Sequence, residues 1–165
     1  MCKTKMVVYW TPYQEYPAFS TTCFLDDLFE EQPQVVTVNL KNNKDPRSLY
    51  LLREADLVVV FLKQNEFFLN HYFVQDQVRN ENIIYVMIDF VYDYHGDWSR
   101  IMNRYRIPEG RLFVIPFCQQ SQGIKSPLDA MRFLKHAQQS DFGGIEHTFY
   151  CAYKRLREKL TYSLL

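Results

Sequence analysis

The loop between the first strand-like run and the first helical run lacks both glycine and lysine. Lys5-Met-Val-Val-Tyr-Trp10 leads through Thr11–Phe19 into Ser20–Leu28, the order of a nucleotide-binding βα unit. A loop of this composition excludes an ordinary phosphate cradle, because backbone N–H groups approach phosphates in conformations that a Cβ crowds. Glycine is scarce throughout, at 5 of 165 residues. The four cysteines, at 2, 23, 118 and 151, fall in no Cys-x-x-Cys or Cys/His ligand spacing, which excludes a zinc or disulfide framework and suits a reducing cytosol. No window approaches 18 consecutive apolar residues, so neither a membrane span nor a signal peptide is expected, and the expected location is cytoplasmic. A net excess of charge is missing too. Lysine plus arginine (19) balances aspartate plus glutamate (19), leaving no global field to draw in nucleic acid or an anionic membrane.

What is present is apolar and aromatic: 47% hydrophobic and 16% aromatic residues in 19.9 kDa, enough for one α/β domain over 1–165 with a sizeable core. Short β-branched and aromatic runs predict strands over 5–10, 35–40, 56–63, 82–89 and 112–117. Helices are expected over 21–31, 46–55, 66–80 and 97–105, with Pro46 suited to a first helical turn. This alternation predicts a mainly parallel sheet of about five strands in a three-layer fold. After Cys118 the pattern is helical only: 127–139, then a last helix on which Ile145, Phe149, Ala152, Leu156 and Leu160 form an apolar stripe opposite Lys154, Arg155, Arg157 and Lys159.

Three segments carry a resemblance. Glu54-Ala-Asp-Leu-Val-Val-Val-Phe-Leu-Lys-Gln-Asn65, Asn82-Ile-Ile-Tyr-Val-Met-Ile-Asp89 and Arg111-Leu-Phe-Val-Ile-Pro-Phe117 resemble consecutive core strands of ParA/MinD-type ATPases. Val7-Val-Tyr-Trp-Thr-Pro12 is similar to the first strand of an atypical branch that includes the localisation proteins of Tad-type pilus systems. The likeness covers about residues 5 to 120. Where that family has Lys-Gly-Gly-x-Gly-Lys-Thr-Thr, placing the two hydroxyl residues on Thr21 and Thr22 puts Glu15, Tyr16, Pro17, Phe19 and Ser20 in the lysine and glycine positions. Asn39 stands near the family's magnesium-organising aspartate, and a neutral amide organises a metal less well. With only Gln32, Pro33 and Gln34 between the first helix and the next strand, the resemblance implies a pruned sheet and the loss of ATP hydrolysis.

Candidate sites have competing readings. Ser20, Thr21 and Thr22 either cap a helix or hold an anion at its N-terminus. With Asp89, Pro116 and Phe117, which resemble base-contacting segments of the family, they would form a vestigial nucleotide pocket at the strands' carboxyl ends. Asp89, Asp93, Asp97 and His95 read as solvated turn residues rather than a cation site, and the histidines at 71, 95, 136 and 147 form no metal motif. Cys118 is expected to be a core thiol with no catalytic base. Arg100, Arg104, Arg106 and Arg111 read as solvated helix faces or as contacts for an acidic partner. The aromatic helix 67–74 carries more apolar surface than one buried stripe needs.

The expected function is that of a non-catalytic accessory or localisation protein, acting through a protein partner or a homodimer, as in a pilus or secretion assembly. Expected contact residues are Phe67, Phe68 and Tyr72 on the aromatic helix and Tyr153, Arg155 and Arg157 on the last one. No cofactor is expected. The alternatives are a nucleotide-binding switch that takes ATP or ADP without hydrolysis, and another doubly wound module, flavodoxin-like or receiver-like.

Overall fold

The computed structural model describes residues 4–13, 24–29, 32, 34–92 and 98–164. Five strands form one wholly parallel sheet: β1 (Lys5–Trp10), β2 (Val35–Asn39), β3 (Leu57–Lys63), β4 (Ile83–Phe90) and β5 (Leu112–Pro116). Their order is β2-β1-β3-β4-β5. β3 is central, and Leu57 through Leu62 are all buried because helices cover both faces. β2 lies at an edge, where Val36, Thr37 and Asn39 are exposed.

The helices are α1 (Pro46–Glu54), α2 (Glu66–His71) continued by a π turn over Tyr72–Asp76, α3 (Trp98–Tyr105), α4 (Pro127–Gln139) and α5 (Ile145–Leu164). Strand residues alternate between two apolar layers, as a period of two requires. Val7, Tyr9, Val59 and Phe61 face a layer completed by Phe24, Leu25 and Phe29 and by Phe149, Leu156 and Leu160 of α5. Val8, Trp10, Val60 and Leu62 face the other, completed by Leu52 of α1, Leu69 of α2 and Ile101 of α3. Phe24, Leu25 and Phe29, between β1 and β2, therefore pack on one face and α2, after β3, on the other. That divergence makes the gap between the carboxyl ends of β1 and β3 the topological switch point of the sheet.

Three elements differ from expectation. Within the described part of 21–31 the regular structure is a 3-10 turn, Asp26–Phe29, held to the sheet by buried Phe24, Leu25 and Phe29. The helix expected to reach residue 80 stops at Asp76, and Asn80 has a different task. Its Nδ2 donates to the carbonyls of Leu52 and Ala55, each at 2.9 Å, satisfying groups that the end of α1 leaves open. On α5 the buried stripe is Phe149, Tyr153, Leu156, Leu160 and Leu164, a set in which Tyr153 takes the place expected of Ala152 and Ile145 is half exposed.

Candidate functional site

Open α/β sheets place ligands outside the carboxyl ends of their strands, at the switch point. Here Tyr13, three residues beyond β1, occupies that position. It is buried at 7% exposure and joins the apolar layer of Trp10, Leu62, Leu69 and Tyr72. Its ring meets that of Phe68, in the first turn of α2 after β3, with centroids 4.9 Å apart. Burial pushes the Tyr13 phenol up to about 12, with the Lys63 backbone at the end of β3 pulling the other way. A side chain that follows β1 thus packs against the segment that follows β3. Beneath it the Trp10 indole is also buried, and its Nε1 donates to the Asn43 carbonyl at 3.0 Å.

Other polar groups along this rim are occupied by the protein itself. Gln64 bridges β3 to β4: its Oε1 accepts from Val91 N at 2.9 Å and its Nε2 donates to Val91 O at 3.1 Å. Asn65 caps α2, its Oδ1 accepting from Phe68 N at 3.3 Å. Lys44 pairs with Asp76 at 2.6 Å. Asn39 Oδ1 accepts from Lys41 N at 2.9 Å.

Of the residues expected to form a nucleotide pocket, Ser20, Thr21 and Thr22 lie outside the described residues, as do Asp93, His95 and Asp97. Asp89 sits at the end of β4 with φ 53°, at an irregularity in the pairing with β5, and its Oδ1 accepts from Gln122 Nε2 at 2.9 Å. Pro116 is buried beside Phe90, while Phe117 is exposed and anchored by its N–H to the Phe90 carbonyl at 3.0 Å. The structure brings Asp89, Pro116 and Phe117 to one end of β4 and β5, two strands from the switch point. Cys118 is buried, its Sγ donates to Gln120 Oε1 at 3.4 Å, and burial pushes its thiol up, away from the thiolate a nucleophile needs. Among the described residues, no three His, Cys, Asp or Glu side chains gather into a metal-binding group.

The expected contact residues divide. Phe67 is 73% exposed and Phe68 is 38% exposed, their rings 5.7 Å apart edge to face. Tyr72 and Tyr153 are corrections: both are buried, the first against Trp10 and Tyr85 and the second against Phe24 and Phe149. Their spacing puts them on the stripes that face the sheet, where a phenol ring adds core area rather than contact surface. Arg155 is exposed on the outer face of α5, and Arg157 is half buried beside α4. Of the arginines near α3, Arg104 pairs with Glu66 at 3.1 Å and Arg111 donates to the Glu81 carbonyl at 2.7 Å.

Tyr13 and Gln64 were not singled out as candidates in the sequence. Their signal is positional, since each lies within three residues of the end of a strand that borders the switch point. Among the described residues, no helix is long and apolar enough to cross a membrane. No family model matches the chain, and neither a curated protein nor a solved structure matches it.

Proposed function

We propose that this chain is a non-catalytic, cytoplasmic accessory or localisation protein, a pruned relative of the ParA/MinD type in which contact with other proteins has replaced nucleotide hydrolysis. The observation that supports this reading is Tyr13, a buried aromatic side chain packed on Phe68 beside the switch point. The occupied amides at the rim point the same way. Gln64 and Asn65 spend their polar groups on Val91 and on the end of α2. The rim also presents an exposed aromatic side chain, Phe67 at the start of α2. A pilus or secretion assembly is the setting that the resemblance of 5–120 suggests.

The strand order favours a second reading. The order 2-1-3-4-5 is that of flavodoxin-like and receiver-like modules, which bind or react at this same crevice. Burial of Tyr13 weighs against it.

Sedimentation of the full chain from its native cells tests the first reading. The wild type is expected in a particle larger than the 19.9 kDa chain. Phe67→Asp combined with Arg155→Glu changes only exposed side chains, and is expected to release a folded protein of smaller size. Identical particles for both proteins, or a monomer in both, would contradict the proposal.

A further inference from the structure

We infer that the groove between α4 and α5 is a docking site for an acidic amphipathic helix of a partner protein, an inference that rests on the contact reading above. The groove encloses about 510 Å³ and reaches from Leu28 to Tyr162. Leu134 and the buried Tyr153 contribute apolar lining, and two large apolar side chains stand open along it, Met131 at 52% and Tyr162 at 74% exposure. Surfaces of this kind receive the apolar face of a helix through anchors at i, i+3 or i+4, and i+7. On α5 the lining runs from Tyr150 to Tyr162, a little over three turns or roughly 18 Å, which a partner helix of about 12 residues matches.

Charge selects among occupants. Lys135 on α4 and Lys154 on α5 are exposed and flank the groove, and Arg157, which is also engaged within the protein, adds a third cation. Among the described residues, Glu158 is the one acidic residue in the lining. The chain as a whole is neutral, so these cations are a local excess, continued on α5 by Arg155 and Lys159. Cations on both flanks of an apolar floor complement a helix with carboxylates on either side of its apolar stripe, and they disfavour a basic one.

The probe is a labelled synthetic helix of roughly 14 residues, with leucines at i, i+3, i+7 and glutamates on the flanks. Fluorescence anisotropy with the full-length protein is expected to show saturable binding that weakens with added salt. Lys135→Glu combined with Lys154→Glu is expected to reduce affinity by about tenfold or more at an unchanged melting temperature. Met131→Asp, which tests the apolar floor, is expected to reduce it as well. Equal binding of the same peptide with lysine in place of every glutamate would overturn the inference. So would equal binding by the charge-reversed variant, or retention on phosphatidylglycerol vesicles that displaces the peptide. If the groove variants bind the peptide as the wild type does while Phe67→Asp with Arg155→Glu still breaks the native particle, this inference fails and the contact reading stands. If no substitution changes either measurement, both fail.

Discussion

Tyr13 is the residue on which the account turns, and its buried phenol makes a pH signature. Its folded-state value, about 12, lies above the ordinary 10.0 of an exposed tyrosine. Between these values the unfolded chain releases a proton that the folded protein keeps, so stability is full below pH 10 and falls as pH rises toward 12. The loss from this one group is about 2 kcal/mol by pH 12. Tyr72, raised in the same direction by burial, adds to the fall. Tyr13→Phe keeps the ring and removes the proton. Urea unfolding at pH 7 is expected to differ from wild type by no more than about 1 kcal/mol, with a visibly shallower decline between pH 10 and 12. An identical alkaline decline in the variant would mean that the Tyr13 hydroxyl is solvated. At the acid end, Asp45 behaves oppositely. The Ser48 N–H holds its carboxyl below the usual range, so its stabilising share is present above its ordinary value of 3.8 and is lost as pH falls through the lower folded value.

Among the elements, α5 carries both the packing and the proposed contact surface, on different faces. Leu156 is fully buried on one side, whereas Arg155 is exposed. Leu156→Ala is expected to destabilise by about 3 kcal/mol, the cost of an unfilled core position, and Arg155→Ala by no more than about 0.5 kcal/mol. Thermal or urea unfolding checks both, and similar effects for the two would show that α5 is not docked as described. The lysine Nζ of Lys5, at the start of β1, donates to the Leu164 carbonyl and ties the end of this helix to the sheet. Much of this was legible in the sequence: β1 and α4 fall on their expected bounds, and the other strands lie within one residue of theirs. Strands covered on both faces write themselves as unbroken apolar runs, and Ser126, whose Oγ accepts from Asp129 N, and Pro127 mark a helix start. Less legible was which aromatic side of a helix faces inward. In Phe67-Phe-Leu-Asn-His-Tyr-Phe-Val74 every face carries a large ring or aliphatic group, so composition could not separate buried Tyr72 from exposed Phe67. The π turn over Tyr72–Asp76 shifts the angular register as well, and an early stop at Asp76 depends on Asn80 reaching the end of α1, a contact 25 to 28 residues away.

Taken as a whole, the molecule is an α/β fold around one parallel five-strand sheet, with an aromatic contact beside its switch point. The sheet order sets a switch point between β1 and β3, and Tyr13 packs on Phe68 beside it. The absence of glycine and lysine in 11–19 excludes an ordinary phosphate cradle, and no local pattern in that stretch says that Tyr13 is buried. The outer surfaces then carry the proposed work, with Phe67 at one end and the groove of α4 and α5 beside the other apolar layer. Calorimetric titration of the full-length protein with ATP and with ADP, each with magnesium, tests this claim most directly. No saturable heat and no shift in melting temperature are expected. Saturable binding that stabilises the fold, weakened by Asp89→Asn or Thr21→Ala, would contradict it.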